Sequence, residues 1–138
     1  TLHDPRHTPP TPWYCRQFAE MHPGIRIEKE IGIEEDNVPD PLKIVIYRIL
    51  QEATSNIARH SKANRVRLSL KEEAGCLELA IHDNGVGFDP EDLASPERLD
   101  RGLGLTSMKE RAELSNGTFV VDSQQGEGTT IRASWKCS

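Results

Sequence analysis

Glu52, Asn56 and His60 fall four residues apart, and Arg59 falls seven after Glu52. On a helix each four-residue step turns only about 40°, so a carboxylate, an amide, an imidazole and a guanidinium line one flank. Asn56 offers a neutral oxygen suited to a hard cation that keeps most of its waters. Glu52 can hold a water or accept a proton, and Arg59 can meet a phosphate. The plain alternative is a solvated flank with an incidental Glu and Asn. On these residues alone that alternative stands.

Three further stretches carry chemistry of their own. Ile81-His82-Asp83-Asn84-Gly85-Val86-Gly87-Phe88 runs from an alternating apolar strand (Leu77, Leu79, Ile81) into a carboxylate and two glycines. That is a way to present one acceptor to a small ligand, and also an ordinary way to leave a strand. Gly102-Leu103-Gly104-Leu105 reads as the opening of a helix. Glycines there would let backbone approach a polyphosphate, with the unpaired amides and positive end of the helix behind them. No Gly-Lys-Ser/Thr follows and no strand immediately precedes, which excludes a P-loop and a dinucleotide fingerprint. Gly126-Glu127-Gly128-Thr129-Thr130 is a hairpin turn whose hydroxyls could share a water with a base edge.

The elements that must hold these residues follow from periodicity. Trp13 to His22 reads as a short helix ended by Pro23-Gly24, and Ile25, Ile27, Ile31 and Ile33 as a strand with one wet face. Asp40 as cap and Pro41 as first residue open a long helix, whose apolar stripe (Leu42, Ile46, Ile49, Ala53, Ile57) runs to about His60. Asn56 and His60 border that stripe, where a pocket wall would stand. Val66 to Leu70 and the strand ending at Asp83 pair through a turn at Glu73 to Gly75. Asp89 to Arg101 has no period and reads as a lid. A helix to about Ser115 follows, capped by Thr106 or by Ser107 with Glu110, and ended by Asn116-Gly117. Thr118 to Asp122 and Thr130 to Trp135 form a closing hairpin. Helix, strand, long helix, two strands, lid, helix and two strands make an α+β, two-layer sandwich: helices on one face of a mixed, mostly antiparallel sheet.

The totals exclude several classes. At 138 residues the chain has one domain's worth of core. A net charge of -5 without a Lys/Arg block argues against a nucleic acid partner. No apolar run reaches spanning length, and no secretory leader is legible, so no membrane contact is expected. Three distant cysteines (Cys15, Cys76, Cys137) suit neither zinc nor a disulfide framework and fit a reducing cytosol. Thr1 to Pro12 holds four prolines, so Leu2-His3-Asp4 cannot continue a helix as a phosphoacceptor histidine would need.

Taken in order, the Gln51-Glu52-Ala53…Asn56…Arg59-His60, Asp83-x-Gly85-x-Gly87-Phe88, Gly102-Leu103-Gly104-Leu105…Met108-x-Glu110-Arg111 and Gly126-x-Gly128-Thr129 stretches resemble the N box and glycine boxes of the GHKL nucleotide-binding superfamily. More narrowly they resemble the catalytic and ATP-binding domain of bacterial two-component sensor histidine kinases, in the short-lid subgroup typified by nitrate sensors and the membrane-fluidity thermosensor. The likeness covers roughly Pro23 to Trp135. It implies the Bergerat ATP-binding fold over 23–138, with 1–22 as the tail of a preceding dimerisation region. It implies ATP and Mg²⁺ as cofactors, with Asp83 accepting the adenine amine, Gly85 and Gly87 shaping that end, and Thr129 helping there. Asn56 would hold Mg²⁺, and Glu52 would orient or deprotonate the attacking histidine. Gly102, Leu103, Gly104 and Leu105 would border the phosphates. Arg59 stands where the family's N-box Lys usually does, and His60 lies beside it at the nucleotide.

The same resemblance implies a γ-phosphoryl donor to a histidine on a dimerisation and phosphoacceptor domain, in a homodimeric parent with a cognate response regulator downstream. No autophosphorylation is expected of these residues alone. The domain would be cytoplasmic, with the parent's membrane anchoring left open. An anti-sigma-factor-type serine kinase and a non-catalytic ATP-binding module remain open. A gyrase-like clamp is disfavoured, because no transducer domain is present.

Overall fold

The computed structural model describes residues 8–89 and 99–136, without the side chains of 99–101. The Leu2-His3-Asp4 stretch and most of the expected lid lie outside the described residues.

Two layers form. The elements are α1 (Thr11–Met21), β1 (Arg26–Gly32), α2 (Asp40–Asn56), β2 (Arg65–Glu73), β3 (Cys76–Asp83), α3 (Leu99–Leu114), β4 (Gly117–Gln124) and β5 (Gly128–Lys136). The sheet order is β1-β2-β3-β5-β4. β1 pairs parallel to β2, and every other pair is antiparallel. The mixed, mostly antiparallel sheet expected from the element order is therefore what forms.

Alternation decides which face the helices cover. Val66, Leu68 and Leu70, then Leu77, Leu79 and Ile81, then Ile131, Ala133 and Trp135 are all buried. They pack with Leu42, Ile46, Ile49, Leu50 and Ala53 of α2 and with Met108 and Ala112 of α3. The intervening residues, such as Arg67 and Arg132, face water. A one-residue slip in any strand would reverse this, so the core itself fixes register. α1 packs onto the same core: Cys15 is fully buried in it, and the Tyr14 hydroxyl lies 2.6 Å from Thr54 Oγ1.

Four local expectations are corrected. Asp40 does not cap α2; it is the first helical residue and pairs with Lys43 at 3.2 Å, while Pro39 takes the cap position. The long helix does not stay α to His60. Ile57–Ser61 is a π-helical turn, ended by Lys62 in the left-handed region. α3 begins at Leu99 rather than near Thr106, so Thr106 and Ser107 are interior residues and not caps, and Gly102 and Gly104 lie inside the helix. Its end is as expected, with Asn116 at φ 66.

Candidate functional site

β3 carries Asp83 to the edge of the core, where strand register sets its company. Asp83 pairs with Thr129 of β5, and Thr129 pairs with Ser123 of β4. The three form one row along the end of the sheet. Asp83 is buried, and its Oδ1 accepts the Gly85 N–H at 2.8 Å. Ser123 Oγ accepts the Phe88 N–H at 3.0 Å and lies 2.7 Å from Thr129 Oγ1.

The turn after Asp83 is clamped from two sides. Val86 N–H donates to the Ser61 carbonyl at 2.7 Å, and the Val86 carbonyl accepts Gly126 N–H at 2.6 Å. The π-helical turn brings Ser61 to this position, where its Oγ donates to the Ile57 carbonyl at 2.9 Å. Gly85 is required by this approach: a Cβ there would stand 2.2 Å from the Ser61 carbonyl oxygen. The end of α2 and the Asp83 turn thus form one rigid corner.

Between this corner, α2 and α3 runs a cleft lined by Asn56, Ser61, Asp83, Phe88, Leu105 and Thr129, with Met108 at its back. Its cavity volume is about 30 Å³. That volume holds water and no purine ring, so a larger ligand needs the walls of the cleft to part.

Asn56 faces the cleft with its Oδ1 buried and without a hydrogen-bond partner. A buried amide oxygen left unpaired is costly, on the order of 1–3 kcal/mol, and such an atom calls for a ligand or a water. Beside it stands Glu52. A Cβ on Gly104 would come within 2.6 Å of Glu52 Oε1 and 2.8 Å of Asn56 Nδ2, so the glycine lets α3 lie directly on the two polar side chains of α2. Among the described residues no group of three or more His, Cys, Asp or Glu is gathered for a metal. The single neutral oxygen of Asn56 suits a magnesium ion that keeps most of its waters.

The residues singled out from the sequence separate into two groups. Asn56, Asp83, Leu105 and Thr129 line the cleft, Gly85 and Gly104 lie against residues that line it, and Glu52 lies against Gly104. Arg59 does not face it: with Gln51, Ser55 and Ala58 it borders a groove between α1 and α2, and its Nε donates to the Ser55 carbonyl at 3.4 Å. The π-helical turn changes the angular step that would have kept Arg59 on Glu52's side. Leu103 is exposed, and neither Gly102, Gly87 nor His60 is among the lining residues. The sequence does not single out Ser61 or Ser123, because lone serines carry no spacing signal and only the π-turn and strand register bring them here.

The fold and this corner define a class. Residues 42–138 match the family of histidine kinase-, DNA gyrase B- and HSP90-like ATPases. The chain belongs to that family.

Its relatives narrow the class further. The chain is 34% identical over 119 residues to the signal transduction histidine-protein kinase/phosphatase DegS of Brevibacillus brevis, a match covering 86% of this chain and 29% of the relative. It is 34% identical over 118 residues to the oxygen sensor histidine kinase NreB of Staphylococcus carnosus, covering 86% of this chain and 33% of that protein. The chain thus spans about a third of the length of these relatives. Among solved structures, the histidine kinase domain of the blue-light activated histidine kinase of Erythrobacter litoralis EL346 superposes with a TM-score of 0.74 at 18% identity, covering 91% of this chain and 58% of that one. The Acinetobacter baumannii histidine kinase AdeS gives 0.68 at 17% identity, covering 100% and 67%. These two likenesses establish the shared fold. Among the described residues no helix is long and apolar enough to cross a membrane.

Proposed function

We propose that this domain binds Mg²⁺-ATP and donates the γ-phosphoryl group to a histidine on a dimerisation domain of its parent protein, as the opening step of two-component signalling to a response regulator. The observation that carries this reading is the buried, unpartnered Oδ1 of Asn56 on the same cleft as the buried Asp83 carboxylate. Asp83 accepts from the adenine amine, while Thr129 stands beside it. Asn56 holds the magnesium, whose chemistry is to neutralise charge on the phosphates. Glu52, one helical turn before Asn56, orients the incoming histidine or takes its proton. The new bond forms between phosphorus and a ring nitrogen, the bond to the β-phosphate oxygen breaks, and ADP leaves with that electron pair.

In this reading the triphosphate runs past Glu52 and Asn56, against which Gly104 of α3 now rests. Nucleotide entry therefore lifts the first turns of α3 off α2, and Gly102 and Gly104 then border the phosphates. Both glycines stand inside α3, where the helix already uses their amides, so they serve here as bare backbone that lets a phosphate come close.

Calorimetry in magnesium buffer tests the binding half: saturable ATP binding that weakens when magnesium is chelated is expected, and no heat of binding overturns the reading. The transfer half is tested by mixing the domain with its upstream helical segment and labelled ATP. Acid-labile phosphate on that segment is expected. Its absence with binding intact would make the domain a nucleotide-holding module instead.

A further inference from the structure

The sheet buries one face under the helices and leaves the other open. Where β1 and β2 begin, Arg26 and Arg65 are register partners on that open face, and Glu28 and Arg67 form the next such pair along it. Like charges set opposite each other on neighbouring strands destabilise a sheet. Glu28 relieves this only in part. Its carboxylate lies 3.4 Å from Arg65 and 3.9 Å from both Arg26 and Arg67. One carboxylate thus serves three guanidiniums, and two positive charges are left over. All three arginines are exposed. The chain as a whole carries a net charge of -5, so this local excess is not the overflow of a basic composition.

The excess continues into a groove of about 720 Å³ across the middle of the open face, with Ser69 and Ala80 as its floor and Arg67, His82 and Arg132 around it. Ser69 and Ala80 are register partners, and two small side chains side by side make the depression. Arg132 has Ala80 and Val120 as its own register partners, neither of which carries a charge. Glu30 also borders the groove, but Lys71 takes its carboxylate at 3.0 Å. Guanidinium forks match single carboxylates through paired hydrogen bonds. A continuous phosphate surface would press its charge onto Glu28 and Glu30 as well, whereas a peptide can thread its carboxylates between the arginines. We propose that this open sheet face docks an acidic peptide segment of a partner protein, with Arg26, Arg65 and Arg67 taking its carboxylates at the strand ends and Arg132 across the groove. The face is the reverse of the side that holds the cleft, so the inference stands apart from the nucleotide reading.

The test is fluorescence anisotropy of a labelled octaglutamate peptide on the domain, with an octaglutamine peptide as the neutral control. The glutamate peptide is expected to bind, and to bind less tightly as salt rises, because exposed charges are screened. Arg65→Gln with Arg67→Gln should weaken it by about tenfold or more, while Arg16→Gln, which removes an exposed cation from α1, should leave it within about twofold. Only backbone atoms of Arg65 meet Asn84, so that substitution keeps the turn intact. Arg26→Gln separates binding from folding: it removes the opposed like charges, so the unfolding midpoint should hold or rise while peptide affinity falls. Absence of binding, equal binding of the two peptides, or unchanged affinity in the double variant overturns the proposal. A tighter salt-sensitive grip on phosphatidylserine vesicles than on the peptide would assign the face to a membrane and overturn it too. So would salt-sensitive self-association that the double variant loses, which would assign the face to a second copy of this chain.

Discussion

Gly104 of α3 sits against Asn56 of α2 so closely that a Cβ would come within 2.8 Å of the amide nitrogen and 3.1 Å of its oxygen. Both neighbours are the far ends of side chains, so an alanine could be accommodated by swinging Glu52 and Asn56 aside. It would also gain about 1 kcal/mol of helix propensity over glycine. Gly104→Ala is therefore expected to change folding stability by no more than about 1 kcal/mol while weakening Mg²⁺-ATP binding by about tenfold or more, as a misplaced metal ligand does. Chemical denaturation and calorimetry on the same sample check the two halves. Wild-type affinity would mean that α3 and the metal ligand are uncoupled.

Asp83→Asn preserves shape and hydrogen-bonding capacity toward the Gly85 N–H, which the carboxylate now meets at 2.8 Å. An amide can turn its –NH₂ into the cleft, where the adenine amine needs an acceptor. ATP affinity is expected to fall by about 100-fold or more, because a site built for one hydrogen-bond polarity rejects the other strongly. Circular dichroism should show an intact fold. An Asp83→Asn domain that binds ATP as well as wild type would remove Asp83 from the base site.

Asn56→Ala separates function from stability in the opposite sense to most core substitutions. It removes a buried oxygen that now lacks a partner, which offsets the small cavity left behind. Stability within about 1 kcal/mol of wild type is expected. Phosphotransfer to an added dimerisation domain should fall further than ATP affinity does, since the metal acts on the developing charge. Equal losses in both would make Asn56 a contact to the nucleotide alone.

Much of this corner was legible in the residues. The alternation through Leu77, Leu79 and Ile81 delivers Asp83 to a strand end, and the stripe from Leu42 to Ile57 places Asn56 at the rim of the core. Two features were hidden for physical reasons. Gly102 and Gly104 read locally as residues before a helix, because glycine disfavours helices. Packing of α3 onto polar side chains of α2 overrides that preference and needs a residue with no side chain. The π-helical turn from Ile57 to Ser61 breaks the 3.6-residue period on which the placement of Arg59 depended. No local pattern announces it, since its reward is the long-range bond from Val86 N–H to Ser61. Ser123 is invisible for a related reason: its meaning comes from lying opposite Thr129.

The corner between α2 and the Asp83 turn gives a prediction for Gly85. A Cβ there meets the Ser61 carbonyl oxygen at 2.2 Å and Ser61 Cβ at 2.7 Å, and the first of these is backbone that cannot swing away. Gly85→Ala is expected to cost about 1–3 kcal/mol of stability through overpacking. It should also displace the N–H that holds Asp83 and weaken ATP binding. Unchanged denaturation midpoints would show that this corner is looser than the Val86–Ser61 bond implies.

Tyr14 supplies a test of whether α1 is an integral part of the domain. Burial pushes its hydroxyl above the usual tyrosine range, and the ring packs edge-on against Tyr47 at 5.7 Å. A group whose folded pKa lies above its unfolded value holds its proton more tightly in the native state. The stability it contributes is whole below the unfolded value of 10.0 and is lost as pH rises through the higher folded value. Wild type should therefore lose stability as pH rises above about 10 more steeply than Tyr14→Phe, which has no proton to lose at that place. Urea denaturation of both proteins across that window measures the two slopes directly. Parallel slopes would mean that Tyr14 ionises as freely in the folded chain as in the unfolded one, and that α1 detaches before the core opens.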